Sequence, residues 1–305
     1  MENRRVLVTG GAGFIGSNLA NRLATDNDVT VLDDRSLGTV TNLDDAIDFR
    51  ERSVLEADLP TDIDVVVHLA ALSSYGLCES DLQRGVRVNV EGFANVVEQA
   101  RQDGCETVVY ASTSSVYGDR TTPAAESENV AANTAYEASK LARERYAEYF
   151  RTHHGISMAG LRFFSVYQGY GGAEGHKDEF ANVIAQFADD IAAGKPPVLY
   201  GDGTQTRDFT HVSDVVDAIV LAAEHELDGI YNVGTGQSHS FNAVVEMINE
   251  ALGTDVSPEY VDPPMPPSVY VHDTLADPSK LRTETGWRAD IGIEAGIKRV
   301  CTSYQ

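Results

Sequence analysis

The chain has 305 residues, enough for one large α/β domain with a smaller lobe attached and a core that needs no disulfide scaffold. Its formal net charge of -24 sets nucleic acid aside as a partner, and no apolar run approaches the roughly 20 residues of a membrane-spanning helix. Three cysteines with no close pairing, Cys78, Cys105 and Cys301, and no leader pattern read as a reduced cytoplasmic protein with buried thiols.

Only five of the 23 basic residues are lysines. Such an acidic, lysine-poor surface resembles that of proteins from salt-loving organisms, where concentrated salt screens the self-repulsion; an ordinary acidic protein is the alternative.

The first half alternates short β-branched runs with longer helical patterns, the sequence form of a parallel sheet wrapped by helices. A first strand at Arg5–Thr9 runs straight into Gly10-Gly11-Ala12-Gly13-Phe14-Ile15-Gly16. Gly10 permits a tight turn, Gly13 lets backbone N-H groups approach a pyrophosphate, and Gly16 lets helix and strand pack closely. The phosphate charge then lies on the positive end of a helix that Phe14 and Ile15 open, so both join the expected cofactor contacts. A second strand at 29–33 ends at Asp33, followed by Asp34. The Asp33 carboxylate can accept hydrogen bonds from an adenosine ribose and would repel a 2'-phosphate, which favours NAD over NADP. Arg35 is the residue that could instead hold that phosphate.

Further strands are expected at 64–69, 107–112 and 157–163, and helical patterns at 86–101 and 134–153, the latter stopping towards Gly155. In that second helix Tyr136 and Lys140 stand four residues apart, on one face and about 6 Å apart along the axis. A phenol of pKa about 10 becomes a usable base when an ammonium and a nicotinamide ring favour the phenolate. The pair alone is common in helices and carries little weight.

After about Ser165 the chain turns Gly-rich and Pro-rich, notably at 169–175 and 258–267, which predicts a smaller, loop-rich lobe. Apolar runs at 218–223 and 243–252 still supply helices, and 230–233 a short strand.

In order along the chain stand TGGAGFIGSN (9–18), VLDD (31–34), HLAA (68–71), NVEG (89–92), STSSVYG (112–118), YEASK (136–140), LRFFSVY (161–167), GDGTQTRDFTHVSD (201–214) and YNVGTG (231–236). This set resembles the extended short-chain dehydrogenase/reductases, and specifically their nucleotide-sugar epimerase branch, over nearly the entire chain. The fold expected is α/β, a Rossmann-type doubly wound parallel sheet with a smaller, loop-rich C-terminal substrate lobe. The dinucleotide-binding domain is expected at 1–164, with returning segments near 207–238, and the lobe at 165–206 and 239–305.

The resemblance implies that Thr113 hydrogen-bonds the reacting sugar oxygen, that Tyr136 is the acid/base, and that Lys140 holds the nicotinamide ribose. It implies that Leu69, Ala70, Ala71 and Phe163 line NAD, and that Asn182 and Arg207 grip the nucleotide sugar. Ser74, Ser115 and Ser165 complete the expected substrate contacts. Dehydratases of the family place an acidic pair after the threonine, and decarboxylases a glutamate in the same stretch; here Ser114 and Ser115 stand there. The reaction implied is therefore 4-epimerisation through a transient 4-keto sugar, with UDP-hexoses of the glucose and galactose type as the default substrates. The alternatives are a lyase, an NAD(P)H-dependent reductase, and a non-catalytic NAD-binding protein.

Two departures bear on the carrier. Ser165 replaces a usual asparagine, and Pro267 and Tyr270 replace an arginine and an aspartate that many members use on the nucleotide. Relatives often pair through two helices, which implies a homodimer through 86–101 and 134–150 unless both simply cover the sheet. The eight histidines show no metal-ligand spacing; His153 and His154 read as a solvated helix end and His68 as packing beneath the cofactor strand. His211 reads equally as structural or substrate-facing, and Tyr117 as a buried aromatic before a substrate contact. No G-x-S-x-G elbow supports a serine hydrolase.

Overall fold

A computed structural model describes residues 1–56, 59–266 and 269–305. The chain divides into two compact units: Met1–Val116 with Asn129–Arg162 and Val216–Tyr231, and Tyr117–Glu128 with Phe163–Val215 and Asn232–Gln305.

The first unit is built on a seven-stranded parallel sheet. Its strands are β1 (Arg5–Thr9), β2 (Asp28–Asp33), β3 (Asp48–Glu51), β4 (Val65–His68), β5 (Thr107–Thr113), β6 (Ser157–Phe163) and the strand Gly229–Val233. They lie in the order β3-β2-β1-β4-β5-β6 and then 229–233. Val6, Val8, Val31, Val67 and Val108 are at most 1% exposed, because helices cover both faces of such a sheet and every strand position needs an apolar side chain. Thr9 pairs with Leu32 on one side and His68 on the other, and His68 with Tyr110, so the carboxyl ends of the central strands share one edge. The strand order reverses between β1 and β4, and ligands of open α/β sheets bind at such a reversal.

Edge strand β3 reads Asp-Phe-Arg-Glu and pairs only with β2; its charges keep the edge wet and leave no apolar pattern for sequence to show.

The helices of this unit are α1 (Phe14–Leu23), α2 (Tyr75–Ser80), α3 (Leu82–Val86), α4 (Gly92–Asp103) and α5 (Ala135–His154), with residues 216–224 of a later helix. The helical pattern expected at 86–101 is not one α-helix, because a π-turn at Arg87–Glu91 separates α3 from α4. Inside that turn Asn89 is fully buried, accepting from Leu72 N at 2.8 Å and donating to Leu72 O at 3.0 Å.

Helix α5 starts where Thr134 Oγ1 accepts from the Glu137 N-H at 3.2 Å and the Glu137 carboxylate accepts from the Asn133 N-H at 2.7 Å. It stops at Gly155, whose φ of 70° suits a residue without Cβ. Its buried face carries Glu137, Ser139, Lys140, Arg143, Ala147 and Phe150, while Tyr146 and Tyr149 are 45% and 49% exposed.

The second unit holds more regular structure than its glycines and prolines suggest. Helices α6 (Val183–Ala192), α7 (Val212–Glu224, its first residues in this unit), α8 (Phe241–Leu252), α9 (Ser279–Thr285) and α10 (Ile293–Cys301) continue the chain. Ile184, Phe187 and Ile191 of α6, Val244 and Ile248 of α8, and Ile297 and Val300 of α10 share one core with Tyr167, Leu199 and Phe209. Three two-stranded ladders, 166–167 with 210–211, 206–207 with 239–240, and 198–200 with 259–261, connect these helices. Buried Asp208 fastens the loops by accepting from Thr235 N at 2.7 Å, Thr235 Oγ1 at 2.6 Å, Gly236 N at 2.9 Å and Ala276 N at 3.1 Å.

No helix among the described residues is long and apolar enough to cross a membrane. Cys78, Cys105 and Cys301 are buried free thiols.

Candidate active site

The glycine turn joins β1 to α1 at the point where the strand order reverses. Gly10 has φ +68°, and a Cβ there would stand 2.6 Å from Ala70 N, so only glycine fits. A Cβ on Gly16 would strike the Gly10 carbonyl oxygen. Gly13 differs: its backbone is ordinary, φ -78° and ψ 178°, and an added Cβ would meet only Gly10 O, at 3.2 Å. Gly13 therefore keeps open the space in front of the first amides of α1, a helix end with no side-chain cap and no acidic residue in its first turn. Phe14 is buried and Ile15 half-buried at that end.

Asp33, 8% exposed at the end of β2, accepts from Ala12 N at 3.1 Å and from Arg35 N at 2.8 Å. A carboxylate so fixed retains lone pairs for a ribose hydroxyl. The Arg35 guanidinium lies 3.2 Å from Glu51 in an exposed ion pair. Exposed Asp34 accepts from Ser36 N at 3.0 Å and shapes the loop. Beside the turn, Leu69 N donates to Thr9 O at 3.0 Å, and Leu69, Ala70 and Ala71 are half-buried. An open, anion-attracting turn with a carboxylate one strand away fits the pyrophosphate and adenosine ribose of NAD.

Thr113, Tyr136 and Lys140 meet beyond the end of β5. Thr113 lies near enough to the Tyr136 hydroxyl to lower its pKa, and Lys140 Nζ lies 5.6 Å from the Tyr136 ring centre. Thr113 Oγ1 is also 2.9 Å from Ser115 Oγ and accepts from Ser115 N at 3.2 Å. Lys140 Nζ donates to Ala111 O at 3.1 Å. Burial raises the Tyr136 phenol above its ordinary pKa, opposed by Thr113 and then by the charge of Arg143. Burial also pushes Lys140 well below the usual lysine value, and the Arg143 charge adds to the effect. A desolvated amine next to a guanidinium is harder to protonate than one in water.

Arg143 lies outside the motifs; Asn89 in NVEG and Ser139 in YEASK, given no role there, are joined by a 2.9 Å hydrogen bond. The only available signal was spacing: Arg143 follows Tyr136 by seven residues and Lys140 by three, placing all three on one helical face. A second buried network joins Ser112 Oγ to Glu144 at 2.6 Å and Glu144 to Arg162 at 2.7 Å. Ser74 caps α2, accepting from Leu77 N at 3.3 Å.

The remaining expected residues belong to the second unit. Phe163 is half-buried. Ser165 adopts φ 29°, and its carbonyl accepts from Thr210 N at 3.3 Å. Asn182 caps α6, accepting from Ile184 N at 3.1 Å and donating to Val166 O at 3.2 Å. The Arg207 guanidinium donates to Thr206 O and His272 O, each at 2.8 Å, and to Val271 O at 2.6 Å, above the Phe241 ring. Tyr270 has its ring 6.5 Å from that of Tyr200; Pro267 lies outside the described residues.

Several side chains take structural places. Tyr117 is buried, donating to Asn232 Oδ1 at 2.7 Å and stacking on Phe164. His68 is fully buried, 2.9 Å from Thr9 Oγ1. His211 accepts from Ser213 N at 3.2 Å, and burial lowers its pKa to about 4. His153 and His154 are exposed at the end of α5. Among the described residues no group of three or more His, Cys, Asp or Glu is placed to hold a metal.

The sequence model of the NAD dependent epimerase/dehydratase family matches residues 6–234. The UDP-glucose 4-epimerase of Mycolicibacterium smegmatis is 34% identical, with 99% of this chain and 98% of that protein covered. Among solved structures, the UDP-N-acetylglucosamine 4-epimerase of Methanobrevibacter ruminantium, in complex with UDP-N-acetylmuramic acid, superposes with TM-score 0.92 at 32% identity, covering 99% and 98% of the two chains. The UDP-glucose 4-epimerase of Thermus thermophilus, in complex with NAD, superposes with TM-score 0.87 at 33% identity, covering 98% of each chain. The fold, the glycine turn and these likenesses agree: the chain belongs to the NAD dependent epimerase/dehydratase family of extended short-chain dehydrogenase/reductases, and its cofactor is NAD.

Proposed function

We propose that the protein is a nucleotide-sugar 4-epimerase acting on a UDP-hexose of the glucose and galactose type. The observation that carries this reading is the meeting of Thr113, Tyr136 and Lys140 at the carboxyl end of β5, next to the turn that suits NAD. NAD, when bound, supplies hydride-transfer chemistry at the sugar carbinol carbon. Thr113 holds the sugar oxygen, and Tyr136 removes the hydroxyl proton and later returns it. Lys140 orients the ribose of the cofactor. Leu69, Ala70 and Ala71 present apolar surface that limits water beside the ring, and Phe163 extends it. Asn182, Arg207, Ser74, Ser115 and Ser165 hold the nucleotide sugar.

Loss of water or carbon dioxide from the sugar would call on further acid or base groups. Ser114 and Ser115 follow Thr113, and the neighbouring carboxylates are occupied: Glu144 with Arg162 and Ser112, Glu137 with the start of α5. The reading therefore stops at proton and hydride exchange, which returns the cofactor to its starting form each cycle.

The exposed apolar side chains Leu82 and Val86 of α3, and Tyr146 and Tyr149 of α5, suit a second copy of the chain. We read the protein as a homodimer adapted to salt, in a reducing compartment such as the cytoplasm. Light scattering and thermal unfolding at low and at molar salt should give the mass of two chains and a rising midpoint; a single-chain mass or a flat midpoint contradicts the corresponding half.

The two glycines separate stability from binding. Gly10→Ala should cost at least about 2 kcal/mol, from its positive φ and the Ala70 backbone. Gly13→Val should keep the unfolding free energy within about 1 kcal/mol yet weaken NAD binding at least about tenfold. Denaturant unfolding and calorimetry check both, and wild-type NAD affinity in Gly13→Val contradicts the assigned turn.

The function is tested by proton NMR of a panel of nucleotide sugars incubated with the purified protein and no added cofactor. Conversion of a UDP-hexose to its C4 epimer is expected, falling at least about a thousandfold in Tyr136→Phe with NAD still bound. Stoichiometric consumption of added NAD(P)H would indicate a reductase instead, and an unsaturated or decarboxylated product a lyase.

A further inference from the structure

Arg143 is 0% exposed, among the largest fully buried side chains of the protein. An unpaired buried guanidinium is costly, yet no carboxylate among the described residues forms an ion pair with it. Its Nε donates to Asn89 O at 2.6 Å and its Nη2 to Ala70 O at 2.7 Å. Its Nη1 is buried without a hydrogen-bond partner, and its central carbon lies 5.8 Å from the centre of the Phe93 ring. The two carbonyls come from different places: Ala70 from the segment after β4 that packs on Gly10, and Asn89 from the π-turn before α4. Arginine's planar fork can tie two such points at once, which lysine's single ammonium does less well.

The surrounding titratable groups are Tyr136, Lys140 and Glu137 on α5, Cys78 on α2, Tyr110 on β5 and His68 on β4. The π-turn and α4 contribute Asn89 and Phe93, which carry no charge. Lys140 is desolvated and reluctant to protonate, and His68 is held well below the usual histidine pKa. Burial lowers Arg143 itself only to about 10, so it stays charged at neutral pH.

We propose that Arg143 is a positioning residue of the catalytic centre: one buried guanidinium ties the Ala70 and Asn89 carbonyls to the helix bearing Tyr136 and Lys140, and keeps a permanent positive charge beside the phenol. The proposal rests on Tyr136 being the proton-transfer group.

Two variants separate charge from clamp. Carbon NMR of ring-labelled tyrosine, with the Tyr136 signal assigned by Tyr136→Phe, reads the ionisation midpoint without turnover, and calorimetry reads NAD affinity. In Arg143→Met the midpoint should rise by at least about one pH unit. In Arg143→Lys NAD binding should weaken at least about tenfold through the lost carbonyl ties. Thermal unfolding reports whether Arg143→Met folds; if it does not, Arg143→Lys decides alone. An unchanged midpoint in folded Arg143→Met, or unchanged NAD affinity in Arg143→Lys, overturns the proposal. Neither readout needs a sugar, so an error in the assigned reaction would appear separately, as wild-type protein that epimerises nothing.

Discussion

A buried helix face that carries ionisable groups is the constraint on which the rest of the site depends. Lys140 and Arg143 are buried on α5, where an ordinary helix would place leucines, and half-buried Tyr136 shares their face. Holding a guanidinium and an amine there is unfavourable unless main-chain carbonyls meet them. The fold provides these from Ala111 on β5, Ala70 after β4 and Asn89 in the π-turn. The same desolvation that burdens the fold makes the phenol sensitive to every nearby charge.

The sheet makes that arrangement repeatable. Parallel strands in register bring Thr9, Asp33, His68 and Thr113 to the same end of the sheet. The reversal of strand order at β1 and β4 leaves room there for the glycine turn. Gly10 and Gly16 serve the packing of that turn, whereas Gly13 keeps its outer side open. Turn and catalytic face then share one segment, since Ala70 touches Gly10 and is also held by Arg143.

Much of this was legible in the sequence because the signals are local. The apolar run of β1 meeting three spaced glycines, the Asp33 carboxylate at a strand end, and the Tyr136 and Lys140 spacing each lie within a short window. β3 was not legible, because an exposed edge strand needs no apolar alternation and Asp-Phe-Arg-Glu offers none. Helices α6 and α10 were hidden behind a count of glycines and prolines that in fact fall in the connections around them. Tyr146 and Tyr149 are exposed on α5, while Arg143, which lies outside every motif, is buried. Composition reports what a side chain prefers, and this helix face overrides the preference, since Lys140 and Arg143 are both buried. Arg207, which the resemblance assigns to the substrate, also donates to the carbonyls at 206, 271 and 272.

The central claim is that NAD presents its reactive ring to the phenol at position 136. The most direct measurement is a crystal structure of the protein with NAD bound. The pyrophosphate is expected over Gly13, the adenosine ribose on Asp33, and the nicotinamide ribose within hydrogen-bond reach of Tyr136 and Lys140. A dinucleotide bound with its nicotinamide remote from Tyr136, or held away from the glycine turn, would contradict it.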